Sequence, residues 1–258
     1  SGNRWVRNAM YNFISIEDPF LLIEKSKRST LIIAASGPSL IKSLPMILTY
    51  RASIQLWALP SSLECLQANG ISPDCVVCTD GNYWAQTLFH FQDADIPVIA
   101  MPLSASSGVP QFAKKVFLFE QPAFFEQELL SSASVTPVSL PSHGTVAGSA
   151  LLLAIQCGFT QIIFTGLDFC YENIISHVNP HMFMHMLFHE SLRKTPFLHT
   201  IYERALAHAP ECDKSKNYRG SHVLRAYAGS FRFLLQYSDL SVFRLFPSHV
   251  DTPGIKGI

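Results

Sequence analysis

Ser36-Gly37-Pro38-Ser39-Leu40 sits directly behind the apolar run Leu31-Ile32-Ile33-Ala34-Ala35 and directly ahead of Ile41-Lys42-Ser43-Leu44. A buried strand, a tight turn of small residues and a helix start, in that order, bring backbone N–H groups and a helix N-terminus to the carboxyl edge of a sheet, where an anion is favoured. The leading reading is a phosphate or nucleotide site. Gly37 could take a dihedral pair closed to other residues and let the backbone approach a ligand. Pro38 presets a helix-entry angle, and Ser36 or Ser39 could cap the helix or touch a phosphate. On that reading a bulky residue at position 37 blocks the ligand and leaves the fold intact. The same residues also suit an ordinary strand-to-helix turn with a serine cap. They are not a Walker loop, because no lysine follows at the required spacing, and the three-glycine dinucleotide fingerprint is missing.

Two aspartates stand where such a site would use them. Asp80 ends the third strand-like run and Asp168 follows the last one of the alternating region, so in a parallel sheet both point to the edge that carries the Gly37 turn. A carboxylate there can hydrogen-bond a ribose, ligate Mg²⁺ beside phosphates or act as a base; a helix cap or turn is the alternative. His177, His181, His185 and His189 recur every four residues, the spacing of a metal pair on one helix face. Pro180 prevents one unbroken helix from carrying all four, no His-Glu-x-x-His occurs, and Met182, Phe183, Met186, Leu187 and Phe188 describe a half-buried helix with partly exposed histidines. His143-Gly144-Thr145 offers a helix N-terminus and a hydroxyl to a ligand, or simply a helix cap. Cys75 and Cys78 form a Cys-x-x-Cys on an apparent strand, where the odd offset sends their side chains to opposite faces, and no second pair completes a zinc site.

The elements that must position these groups alternate. Leu31–Ala35, Ile54–Ala58, Cys75–Cys78, Val98–Met101, Val116–Phe119 and Ile162–Thr165 read as strands; Leu40–Tyr50, Ser61–Ala68, Trp84–Phe91, Ala123–Leu130 and Thr145–Cys157 read as helices. Short apolar runs separated by helices imply right-handed crossovers and a Rossmann-like, doubly wound, mainly parallel α/β sheet. Small residues on the last helix, Ala147, Gly148, Ala150 and Ala154, suit close packing on the sheet or a backbone near a ligand. Beyond Asp168 the alternation fades. Met182–Glu190, Phe197–His208 and Val223–Tyr237 look helical, with Ser241–Phe246 a final strand, so residues 171–258 read as a mainly helical flank or lid. One domain is expected over 3–258, with a helical lead-in at 3–28 and an α/β core at 29–170.

A chain of 258 residues with 48% hydrophobic content can bury one substantial core. Nineteen basic residues balance nineteen acidic ones, so no electrostatic footprint for nucleic acid or a membrane surface exists, and a small ligand is expected. The longest aliphatic runs are too short to span a bilayer. Six scattered cysteines and the absence of a signal peptide point to a reducing cytoplasm.

The segment Leu31 to Leu40 resembles the Gly-Pro-Ser-Leu stretch of the DUF115 family, which includes motility accessory factor proteins and MptE-like pterin diphosphokinases. A similar turn occurs in bacterial sialyltransferases that use a CMP-activated sugar. Four further stretches match the family in order: Asn3-Arg4-Trp5 to Asn12, Gly70-Ile71-Ser72-Pro73-Asp74 leading to Thr79-Asp80, Gly144-Thr145-Val146-Ala147 to Gly158, and Thr165-Gly166-Leu167-Asp168 with Tyr171 and His177. The resemblance implies a glycosyltransferase that moves a nonulosonic, sialic-acid-like sugar from a CMP donor to a protein hydroxyl such as one on flagellin, with no required metal. Ser36, Gly37, Pro38, Ser39, Asp80, Gly144 and Thr145 would then bind the nucleotide. The catalytic residues would be Asp168, which positions nucleotide or acceptor, Tyr171, which supports the departing phosphate, and His177, the base. Leu167 departs from the family's usual polar residue at that position. The same resemblance leaves open a diphosphokinase acting on hydroxymethylpterin, with Asp80 and Asp168 holding Mg²⁺, and a non-catalytic domain that binds a nucleotide sugar.

Overall fold

The computed structural model describes residues 2–17, 19, 30–89, 96–122, 124–134, 136–235 and 240–258. Its first part runs α1 (Gly2–Ser15), β1 (Thr30–Ala34), α2 (Leu40–Tyr50), β2 (Gln55–Ala58), α3 (Leu63–Ala68), β3 (Cys75–Val77), α4 (Tyr83–Thr87) and β4 (Ile96–Met101). It continues through β5 (Ala113–Glu120), α5 (Phe124–Ser132), β6 (Val138–Ser139), α6 (Val146–Gln156) and β7 (Gln161–Thr165). The expected α/β alternation is therefore present, and α2 has the bounds read from the sequence. The helical readings at Trp84–Phe91, Ala123–Leu130 and Val223–Tyr237, and the lead-in at 3–28, extend in part onto residues outside those described.

Nine strands form one sheet in the order β12-β11-β7-β1-β2-β3-β4-β5-β6, where β11 is Ser241–Arg244 and β12 is Lys256–Gly257. All neighbours run parallel. The chain builds outward from β1 to β6, then returns through α6 to lay β7 against the other side of β1. That reversal is a topological switch point, where diverging connections leave a crevice at the strands' carboxyl ends.

Alternate residues of each strand enter opposite layers, as a period of two requires. Ile32, Leu56, Val76 and Ile99 join α2, α3 and α4 on one face; Leu31, Ile33, Trp57 and Phe117 join α6 on the other. Cys75 and Cys78 divide between these two layers and both are free thiols, as the odd offset anticipates. Burial raises both thiols, that of Cys78 to about 12.

The C-terminal third holds α7 (Met182–His189), α8 (Phe197–His208) and α9 (His222–Leu235), but it is not only helical. A three-stranded antiparallel sheet of β8 (Tyr171–Glu172), β10 (Tyr218–Gly220) and β9 (Glu211–Asp213) stands beside them. The expected final strand, β11, is followed by β12. Unlike the short β3, which lies within the apolar run Cys75–Cys78, the two- and three-residue strands β6, β8, β9, β10 and β12 have no apolar run to mark them in the sequence. Among the described residues no helix is long and apolar enough to cross a membrane.

Candidate functional site at the β1–β7 junction

A cavity of about 440 Å³ opens over the carboxyl ends of β1 and β7. Ser36 and Gly37 reach it from the turn after β1, Asp80 from the loop after β3, Thr145 from the start of α6, Asp168 from the loop after β7 and Tyr171 from the start of β8. His177 lines it from the segment beyond β8. Pro38, Ser39 and Gly144, expected in the same group, are not in its wall. Pro38 and Ser39 instead face a neighbouring cavity of about 210 Å³ on the far side of Asp168, together with Lys42.

The turn is latched to the β7 loop. Gly37 N–H donates to the Gly166 carbonyl at 2.7 Å, and Ala35 N–H donates to the Thr165 carbonyl at 2.8 Å. Asp168 accepts from Ser39 twice, from the backbone N–H at 2.8 Å and from the hydroxyl at 2.6 Å. The carboxylate thus takes the place at the N-terminus of α2 that an external anion was expected to fill. Ser39 has helical backbone angles and makes no side-chain cap bond; its hydroxyl is spent on Asp168.

Gly37 is also not among the residues with positive φ; the left-handed conformation belongs to Gly166, at φ +66°. What position 37 requires is space. A Cβ there would collide with Asp168 Oδ2 and would stand 2.6 Å from the Gly166 carbonyl oxygen. The sequence-based expectation that a larger residue would spare the fold is therefore corrected, because the atoms in its way are the protein's own.

Asp168 is 4% exposed, and burial raises its carboxyl above the usual range, against the pull of the Ser39 hydrogen bonds and the Arg244 charge. Arg244, itself buried, donates to the Leu167 carbonyl at 3.0 Å and to the Val250 carbonyl at 2.9 Å, and Ser248 Oγ donates to the Asp168 carbonyl at 2.6 Å. No sequence signal marks Arg244 or Ser248. Asp80 Oδ1 accepts from the Asn82 backbone and side-chain nitrogens, both at 2.8 Å, so Asp80 closes a turn while it lines the cavity.

Ser176 links two expected residues. It hydrogen-bonds Tyr171, and its hydroxyl lies 2.8 Å from His177 Nδ1. Its place directly before His177 was the one available clue. Burial lowers the His177 imidazole to about 4, and its ring stacks on His181 with centroids 4.3 Å apart. Burial also raises the Tyr171 phenol.

Thr145 caps α6 by accepting from Gly148 N–H at 3.0 Å, and its own N–H donates to His143 Nδ1 at 3.1 Å. Gly148 leaves room for the His143 ring, which a Cβ would strike. The other histidines take separate roles. His181 is the cap of α7, His185 Nε2 pairs with Glu64 on α3, and His189 ends α7 at the surface. Among the described residues no three His, Cys, Asp or Glu side chains form a group suited to a metal ion. Both oxygens of Asp168 accept from Ser39 in a desolvated setting, so a Mg²⁺ ion held between Asp80 and Asp168 would share the Asp168 carboxylate with that latch.

The family described as 6-hydroxymethylpterin diphosphokinase MptE-like matches residues 3–174, from α1 through the β7 loop to just past β8. The chain belongs to this MptE-like family. An uncharacterised protein of Treponema pallidum (strain Nichols) is 29% identical over 181 residues, covering 70% of this chain and 39% of that protein. The structure of a MAf glycosyltransferase from Magnetospirillum magneticum AMB-1 aligns with 99% of this chain and 38% of its own, at a TM-score of 0.70 and 14% identity. The likeness to the MAf structure establishes a shared fold. This MptE-like chain spans about two fifths of the length of both relatives.

Proposed function

We propose that this protein is a cytoplasmic transferase that moves a nonulosonic, sialic-acid-like sugar from a CMP-activated donor to a hydroxyl of a protein such as flagellin. The observation that carries the reading is the charge of the cavity. Among the described residues its wall holds the carboxylates of Asp80 and Asp168 but no lysine or arginine. A nucleoside triphosphate would bring about four negative charges to that wall, whereas a CMP-activated nonulosonic acid brings one on its phosphate and one on its carboxylate, which the Ser36 and Tyr171 hydroxyls can meet.

In this reading Ser36 and Gly37 border the nucleotide, Thr145 faces it from the start of α6, and Asp80 meets a donor or acceptor hydroxyl. Pro38, Ser39 and Gly144 shape the surrounding turns. Asp168 acts through Ser39 to hold the turn. The acceptor oxygen bonds to the anomeric carbon as the bond from that carbon to the phosphate oxygen breaks, and CMP departs with the electron pair. Tyr171 donates to the departing phosphate. The hydroxyl proton passes to His177 Nε2, which requires the tautomer whose Nδ1–H donates to Ser176 Oγ. No metal is required.

The family's description favours a second reading, transfer of diphosphate from Mg²⁺-ATP to a hydroxymethylpterin. Calorimetric titration with CMP and with ATP, each with Mg²⁺ and with EDTA, separates the two. CMP should bind with an affinity indifferent to EDTA; binding of ATP alone, strictly dependent on Mg²⁺, would overturn the transferase reading in favour of the diphosphokinase. His177→Ala should cut sugar transfer by about two to four powers of ten with CMP affinity unchanged. Donor binding without any transfer would mark a non-catalytic nucleotide-sugar domain.

A further inference from the structure

A second cavity, of about 470 Å³, opens between α4 and the pair α7 and α8. It shares Asp80, Ala85, Leu88 and His177 with the cavity at the β1–β7 junction, so the candidate base borders both. The remaining wall is different in character. Trp84, Met182, Phe183 and Met186 make it aromatic and thioether-rich, and the Arg204 guanidinium lies over the Phe183 ring at 5.0 Å from its centroid. Methionine side chains adapt to irregular apolar guests, and such walls bind apolar groups oriented by a few polar contacts.

His181 supplies the polar contact. It is 4% exposed and lines this cavity. Its Nδ1 accepts from the Phe183 N–H at 3.1 Å, which leaves the proton on Nε2, and Nε2 is buried without a partner among the described residues. A buried donor left unpaired is costly, so such a group in a native fold calls for a partner supplied from outside. His177 is stacked on His181, so a ligand that pairs with one imidazole also meets the other.

We propose that this second cavity is the acceptor subsite, and that it takes an apolar side chain beside the attacking hydroxyl of a peptide, whose backbone carbonyl accepts from His181 Nε2–H. The inference rests on the transferase reading of the first cavity. Polar groups of the wall, among them Asp80, Thr87 and Glu190, stand beside the thioether and aromatic faces of Met182, Phe183, Met186 and Trp84, so a guest that combines an apolar part with polar atoms matches it better than a free sugar does. A peptide combines an apolar side chain, a carbonyl and a hydroxyl within one residue's reach.

The test is methyl NMR of the whole chain labelled at methionine, with the Met182 and Met186 signals assigned by Met182→Leu and Met186→Leu. Two probes are titrated, N-acetyl-Leu-Ser-Leu-amide and N-acetyl-Gly-Ser-Gly-amide, with and without CMP. The leucine peptide should shift both methyl signals to saturation, and the glycine peptide should bind at least about tenfold more weakly. Trp84→Ala, at an exposed ring, should weaken the leucine peptide by about tenfold and leave CMP affinity unchanged. Methyl signals that stay still at millimolar peptide, or that move equally with both peptides, overturn the proposal. If the leucine peptide moves them while CMP fails to bind, the subsite stands and the CMP-dependent reading falls; if CMP binds and they stay still, the reverse holds.

Discussion

Asp168 occupies the helix N-terminus that the turn was expected to offer to a phosphate, and this changes what the neighbouring residues do. With Ser39 N–H and hydroxyl both committed to it, Gly37 becomes the residue that lets a carboxylate approach the turn. Gly37→Ala should therefore destabilise the protein by about 1–3 kcal/mol through overpacking, seen as a lower urea midpoint with an unchanged slope. Ser39→Ala tests the same latch from the other side and should lose about 1–3 kcal/mol, because a buried carboxylate loses its hydroxyl donor. At His177, burial holds the imidazole near 4, so it stays neutral at ordinary pH. If it is the proton acceptor, kcat for sugar transfer should be flat from about pH 8 to 5.5 and fall below about pH 5, as the protonated ring can no longer accept. A fall that begins near pH 7 would point to a different group.

The start of α7 depends on a histidine acting as an acceptor. His181 Nδ1 takes the Phe183 N–H, and burial, reinforced by the nearby His177 and His185, lowers its imidazole to about 3. Protonation would turn that acceptor into a donor and break the cap. The folded-state values of His177 and His181, about 4 and about 3, both lie below the unfolded value of 6.5. Between those limits the unfolded chain binds more protons, so stability is full above about pH 6.5 and is lost as pH falls. Each histidine should contribute a slope of up to about 1.4 kcal/mol per pH unit in that window. His181→Asn keeps a capping side chain that does not titrate, and thermal melts from pH 7.5 to 4.5 should show a shallower decline for it than for the parent. At α6 the corresponding cap is Thr145, which depends on a neighbour of its own. Gly148 must lack a Cβ for the His143 ring to lie against the helix start.

The segment at the end of β11 and just beyond it reaches back to the β7 loop that latches the first turn. Arg244, at the end of β11, holds the carbonyls of Leu167 and Val250 and the hydroxyl of Thr252, while Ser248 holds the Asp168 carbonyl. Arg244→Met should leave the two carbonyls unpaired and remove the positive charge that favours ionised Asp168. Hydrogen bonds to a charged donor contribute about 1.5–3 kcal/mol each, so the urea midpoint should fall clearly. The Asp168 carboxyl should rise further, which a carbon-13 carboxyl titration would register. An unchanged Asp168 titration would show that the guanidinium acts on the loop by geometry alone.

The sequence by itself determined the α/β layers, because each strand and helix declares itself within a dozen residues: a continuous apolar run at Leu31–Ala35, as a strand buried on both faces requires, and helical spacing at Leu40–Tyr50. It also placed Ser36, Gly37, Asp80, Asp168, Tyr171 and His177 near one sheet edge, since chain direction in a parallel sheet puts every strand's carboxyl end on the same side. Which of them touch is a matter of strand order. Ser39 meets Asp168 only because β7 crosses the sheet to pair with β1. Arg244 reaches Leu167 only because β11 then adds beside β7. These contacts join residues 129 and 77 positions apart, and no local pattern encodes them. Tertiary packing likewise decided that the turn's donors are spent within the protein and that His181, read as one of a helical row, is the buried cap of α7. Burial and pairing depend on what the rest of the chain brings alongside, and a residue's neighbours in sequence do not specify that.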